Sequence, residues 1–275
     1  MRTFLICHED EPLNNIVLPR WLASFSTLAG IIVLREVPVQ KRRRIKREMK
    51  RVGLSRFLDV LTFRIYYSLF LAGKDRTWEE DALSNLCKRY PEVPKTTPVL
   101  IATSPNSPEA REFLRSAVPD LVLARCKFIL KEEVFTIPKD GTFVMHPGIC
   151  PEYRNAHGCF WALANDDFER VGMSLVRIDR GVDTGPVFGY YRCEYDSLRD
   201  SHIVIQLRTV FDNLDSLKEK LLQIHEHSAV PIDVTGRKSA VWGQPWMTRY
   251  LHWKREARKR EVSKPAATKA ASGKE

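Results

Sequence analysis

Apolar positions in this chain follow two rhythms that alternate along its first half. Short unbroken runs at Thr3–Cys7, at Ala29–Arg35 and in the TTPVLIAT stretch (96–103) show no polar/apolar alternation. That is the pattern of strands buried on both faces of a parallel sheet. Between them lie segments with helical spacing. Asn14–Phe25 is one, and 41–71 is another, where Ile45, Met49 and Val52 would keep one face inward and the arginines out. SPNSPEAREFLRSA supplies caps and then a helix, Asp120–Ala124 a fourth strand, Ile129–Phe135 a short helix, and Gly141–Met145 a fifth strand running into His146. This alternation predicts an α/β fold with an open, doubly wound, mostly parallel Rossmann-like sheet. Ligands of such sheets bind beyond the carboxyl ends of the strands, where His146 stands.

After His146 the pattern changes. Gly172–Asp179 and Pro186–Cys193 predict two antiparallel strands joined by a short Gly-rich loop. Ser201–His227 predicts one long helix with Ile205, Leu207, Val210, Leu214, Leu217 and Leu221 as its apolar set. The chain thus divides into an α/β domain over 1–228, an aromatic segment over 229–255 and a basic tail over 256–275. Trp242, Trp246, Tyr250 and Trp253 suit the aromatic segment to packing on the body, or to a homodimer interface. The tail is Lys, Ala and Ser without core formers, and is expected to be disordered.

Charge narrows the reading further. The 275 residues carry a net +10, which at first suggests a nucleic-acid partner. Residues 41–51 (KRRRIKREMKR) account for +7 and residues 254–275 for +5, so the remainder carries −2. No nucleic acid is therefore expected for the core. The two basic stretches read first as a solvated helix face and a disordered tail, with phosphate or a nuclear-import receptor as the alternative partners. The expected location is cytoplasmic, with nuclear entry through those stretches as the alternative. Six cysteines without a CxxC pair, and no secretory signal, fit a reducing compartment. The most apolar stretch, Leu58–Ala72, is interrupted by Arg64 and falls short of the roughly 20 apolar residues a membrane span needs. It predicts a buried helix covering the sheet, although a basic run feeding an apolar helix also suits a membrane surface. His225 and His227 are too isolated near a helix end to indicate a metal.

The candidate chemistry lies between His146 and Gly185. Pro147 and Gly148 turn the chain just after His146, so its imidazole should face a loop-lined crevice. Asp183 lies in RGVDTGP, where Gly181 and Gly185 permit a tight loop and close approach of a ligand. A carboxylate that orients an imidazole suits proton transfer near neutral pH.

The stretch from Gly141 to about Tyr191 resembles the catalytic core of the formyltetrahydrofolate-dependent formyltransferases. MHPGICPEYRN, HGCFWALAND, GMSLVRID and GVDTG follow that family's order and spacing, and sugar-nucleotide N-formyltransferases are the most similar branch. Against the simplest members of the family, 37–95 reads as a helical insertion. The resemblance implies transfer of a formyl group from 10-formyltetrahydrofolate to a primary amine of a small acceptor. His146 would stabilise the oxyanion, and Asp183 would govern the histidine and the departing proton. It also implies a donor site along Leu123, Ala124, Phe128, Ile129 and Leu130, and along Asp179, Gly181, Val182 and Gly185. The family's third catalytic residue, an asparagine, falls on Val144. Asn155 and His157 are the candidate substitute donors, each also readable as a turn former or helix-start residue. The alternative is a divergent or inactive formyltransferase-fold module that binds or regulates, or a related hydrolase.

Overall fold

The unbroken apolar runs at 3–7 and 29–35 are buried because both faces of the sheet are covered there, and Leu5, Ile6 and Cys7 have no exposed surface. The run at 96–103 departs from the expected two-sided burial, because it forms the edge strand of the sheet and leaves Val99 and Ile101 56% and 54% exposed. The computed structural model describes residues 1–37 and 53–263. Its strands are β1 (Arg2–His8), β2 (Thr27–Leu34), β3 (Val99–Ala102), β4 (Leu121–Arg125), β5 (Gly141–His146), β6 (Met173–Arg177) and β7 (Val187–Tyr191). They form a seven-stranded sheet in the order β3-β2-β1-β4-β5-β6-β7. Pairings are parallel from β3 to β5 and antiparallel from β5 to β7. The expected α/β sheet, with its antiparallel strands after the histidine, is what forms.

The helices are α1 (Leu18–Ala23), α2 (Leu54–Tyr66), α3 (Ala72–Arg89), α4 (Pro108–Ala117), α5 (Glu132–Phe135), α6 (Gly158–Ala164), α7 (His202–Phe211), α8 (Leu214–His225) and α9 (Met247–Ser263). One face of the sheet offers Leu123, Phe143 and Met145 to Trp21, Val210, Leu217 and Leu221. The other offers Ile6, Ile32, Val122 and Ala124 to Ala110, Leu114 and Val134. A third cluster joins α2, α6 and α9 through Phe63, Phe160 and Trp253. The aromatic segment packs on the body here, with Trp161 stacked on Trp242 at 4.7 Å.

Five further expectations are corrected. The predicted long helix at 201–227 breaks into α7 and α8. Asn213 Nδ2 donates to Thr209 O at 3.0 Å and Arg192 O at 2.7 Å, taking a carbonyl that the helix ladder would use. The short helix shrinks to α5, because Asn106 holds Ile129 O and Lys131 N at 3.0 and 2.9 Å in a non-helical turn. The basic tail is ordered as far as Ser263, since α9 buries Ala257 and Lys254. Lys254 Nζ donates to three backbone carbonyls, Ser197, Leu198 and Asp200. The helix over 58–72 does not cover the sheet. It lies against α6 and α9, with Val60 and Phe63 buried and its far side exposed. Lastly, His225 is not isolated: its Nδ1 lies 2.7 Å from Asp140 Oδ2 at the amino end of β5. The basic run 41–51 and the end of the tail, 264–275, lie outside the described residues. No helix of the described residues is long and apolar enough to cross a membrane, and the six cysteines are free thiols.

Phe143 is fully buried and meets Phe188 at 5.5 Å on the sheet face away from Val144. Phe143→Ala is expected to cost about 3–5 kcal/mol in denaturant unfolding. A loss below about 1 kcal/mol would contradict this packing.

Candidate active site

Two residues of one strand, two positions apart, set the site. Val144 and His146 lie on the same side of β5, opposite Val176 and Ser174 of β6. The chain after His146 is folded tightly back on itself. A Cβ on Gly148 would lie 2.9 Å from Gly158 Cα, and one on Gly158 would lie 2.6 Å from Pro147 O, so only glycines allow this closure. Ser174 Oγ accepts from Cys150 N and donates to Gly148 O, fixing the turn to β6.

This closure brings Tyr153 O to 2.7 Å from His146 Nε2. His146 Nδ1 lies 3.3 Å from Asp183 Oδ2, which also accepts from Asn155 N at 2.8 Å. Asn155, His157 and Asp183 all sit at positive φ, 79°, 53° and 51°. Such backbone is uncommon for non-glycine residues and concentrates at functional sites. The predicted pair therefore forms, though not as expected. The imidazole side chain is 3% exposed and lies behind Asp183, which is 15% exposed and faces the opening.

That opening is a cleft of about 160 Å³ at the carboxyl ends of β4 and β5, floored by Val144 and Val176. Ala124, Phe128, Ile129 and Leu130 line one wall, and Asp179, Gly181, Val182 and Gly185 another, together with Asp183 and Asn155. Leu123 does not take part. Strand alternation turns it to the opposite face of β4, where it is fully buried in the core. Gly185 lets the loop close, because a Cβ there would run into Arg177 O. Asn155 remains in the cleft wall, with Nδ2 donating to Trp242 O. His157 points elsewhere, its ring 5.3 Å from that of His202. Burial pushes its imidazolium down to about 4.

Several contributors escaped the sequence reading. Tyr153 enters through its carbonyl and Trp242 through both its carbonyl and its ring, which stacks on Tyr153 at 5.7 Å. His8, at the carboxyl end of β1, accepts from Lys127 N at 3.0 Å and stacks on Phe128 at 5.9 Å, holding the cleft wall. Burial lowers the basicity of its ring. Backbone contacts carry no residue-type signature. His8 was visible at a strand end, but its partner lies more than a hundred residues away.

Residues 72–221, more than half of the chain, match the family model described as formyl transferase. A methionyl-tRNA formyltransferase of Thermotoga neapolitana is 29% identical over 137 residues, which cover 50% of this chain and 39% of that relative. One from Dehalococcoides mccartyi is 38% identical over 84 residues, 30% of this chain and 27% of the relative. The chain thus spans well under half the length of these curated relatives. Among solved structures, a sugar N-formyltransferase of a Shewanella species superposes with a TM-score of 0.55 at 13% identity, covering 94% of this chain and 88% of the other. An N-formyltransferase of Helicobacter canadensis, solved with folinic acid and dTDP-3-aminofucose, gives 0.52 at 14%, covering 94% and 80%. At such identities these structures share the fold.

The neutral His157 predicts a pH signature. The unfolded chain takes up a proton near the ordinary 6.5, whereas the folded ring resists until about 4. This contribution is complete above pH 6.5 and is lost as pH falls through that window. His157→Gln should make the melting temperature fall less steeply between those values. An unchanged slope would contradict a buried neutral ring.

Proposed function

The chain belongs to the formyl transferase family, and we propose that it moves a formyl group from 10-formyltetrahydrofolate to a primary amine of a small acceptor, with nucleotide-linked amino sugars as the acceptor class. The observation that carries this reading is the His146–Asp183 contact of 3.3 Å at the cleft. The lining suits such a donor. Val144, backed by the buried Val176, offers an apolar floor, and Arg177, Asp179 and Thr184 stand among the residues lining the cleft, a mix of apolar and polar groups that suits a fused heteroaromatic ring with amide-like edges. The folinic acid and dTDP-3-aminofucose of the Helicobacter canadensis structure support the same choice of donor and acceptor class.

Bound there, the donor supplies a formyl carbon open to amine attack. A carbonyl can only accept, so the Tyr153 contact requires a hydrogen on His146 Nε2 and turns Nδ1 toward Asp183. One further proton fits between these two groups. Asp183, the member facing the cleft, takes the proton that the amine sheds as the new C–N bond forms, and His146 shares it. Asp183 then returns a proton to the folate nitrogen as the old C–N bond breaks. Asn155 has one amide hydrogen committed to Trp242 O. Its second serves the formyl oxygen in place of the missing asparagine at 144. His157, facing His202, has no part in this assignment.

Two other readings rest on specific observations. Val144 removes a donor, which favours a binding module, and the sequence relatives favour methionyl-tRNA as acceptor. One set of assays separates them. Folinic acid should raise the melting temperature by linkage, and no shift at millimolar ligand would overturn the donor assignment. Turnover with nucleotide amino sugars is expected. Turnover with methionyl-tRNA alone would move the acceptor class, and binding without any turnover would leave a binding module. Asp183→Asn is expected to lower kcat by about 10²–10⁴, and Asn155→Ala by about 10²–10³. Unchanged kcat in either variant would refute its role.

A further inference from the structure

At the end of the sheet away from the cleft, three side chains of metal-ligand type meet from three separate elements. Asp120 and Asp140 immediately precede β4 and β5, whose parallel pairing sets Leu121 beside Gly141. Asp140 N donates to Asp120 O at 2.7 Å, which ties the two strand starts together. His225, the last residue of α8, comes down on them with Nδ1 2.7 Å from Asp140 Oδ2. One oxygen of each aspartate and one nitrogen of the histidine lie within 4.8 Å of one another.

The plainest role for these residues is an ion pair that pins α8 to the sheet. Two observations go beyond it. The Asp140 side chain is only 1% exposed, yet its second oxygen, Oδ1, is buried with no hydrogen-bond partner among the described residues. A buried carboxylate oxygen left unmet is costly, and the bond to His225 does not relieve it, because that bond uses Oδ2. The cluster also holds a second carboxylate where a pair needs one, so its negative charge exceeds what one imidazole can balance. Arg2 does not supply the difference through its side chain. Its backbone N–H reaches Asp120 Oδ2 at 2.6 Å, while its guanidinium is spent on the carbonyls of Ala117 and Val118 at 2.7 and 3.2 Å. A cation seated against Asp140 meets both demands.

We propose that Asp120, Asp140 and His225 bind a divalent transition-metal ion, zinc being the ion this donor set fits best. One imidazole nitrogen among carboxylate oxygens suits zinc, whereas magnesium and calcium take oxygen sets. Ligand atoms around a tetrahedral zinc stand about 3.3 Å apart, so the contact between Asp140 and His225 opens slightly and Asp120 closes in. The proton shared by Nδ1 and Oδ2 leaves to solvent as the ion enters. His225, 29% exposed, gives the ion its way in, and the Arg2 N–H orients the Asp120 carboxylate from behind. The ion would clamp the end of α8 to the amino ends of two central strands. The site shares no residue with the cleft, so its test is independent of the formyl transfer assigned there.

The test is calorimetric titration of the full chain, stripped with chelator and dialysed, with zinc chloride. One zinc per chain is expected, with a melting temperature raised by linkage, and magnesium should not reproduce that rise. His225→Gln and Asp120→Asn should each weaken zinc binding at least about tenfold. Asp120→Asn keeps an oxygen for Arg2 N and leaves the Asp140–His225 contact in place, so its metal-free melting temperature should match that of the unaltered protein. Absence of zinc uptake by the unaltered chain would overturn the proposal. Full-affinity uptake by Asp120→Asn would also overturn it, leaving Asp140 and His225 as an ion pair and assigning the zinc to side chains elsewhere. Equal stabilisation by magnesium would overturn the assignment to a transition ion.

Discussion

Asp183 Oδ2 accepts a hydrogen from Asn155 N at 2.8 Å and lies 3.3 Å from His146 Nδ1, so one carboxylate oxygen ties together the loop after β6, the turn after β5 and the strand end that bears the imidazole. Each of those pieces is held in turn by its own constraint. The turn closes because Gly148 and Gly158 have no side chains, and the loop closes because Gly185 passes the Arg177 carbonyl. The imidazole is fixed by the Tyr153 carbonyl at 2.7 Å. Three residues in left-handed backbone, Asn155, His157 and Asp183, bear the conformational cost of this arrangement. Removing the carboxylate would leave a buried imidazole and a backbone N–H facing each other without a shared acceptor.

The change from parallel to antiparallel pairing at β5 explains why the cleft lies where it does. β6 runs back beside β5 and sets Val176 against Val144, giving an apolar floor where the family has a polar donor. Asp183 and Asn155 face the opening at the rim while the histidine sits behind, and the proposed reaction places its functional weight there. In the proposed reaction this would separate proton handling from contact with the formyl oxygen and leave the floor to binding alone.

Much of the fold was legible because its central strands are buried on both faces. Unbroken apolar runs at 3–7, 29–35 and 120–124 leave little choice of structure. The breaks were less visible where one polar side chain competes with the helix ladder, as Asn213 does with its amide and Asn106 does around Ile129. At the site, His146, Asp183 and the cleft walls could be read from motif order. Leu123 was misplaced because a run of apolar residues does not reveal which side chain points to which face. Burial of the histidine depends on a main-chain carbonyl, which no residue type announces.

On the proposed function, the cleft takes a folate ring against valine instead of asparagine. A crystal structure with folinic acid bound tests this most directly. The proposed function predicts the pterin ring over Val144, with the formyl group within hydrogen-bond reach of Asn155 Nδ2 and next to Asp183. A ring bound elsewhere on the protein, or a formyl group turned away from both residues, would contradict it.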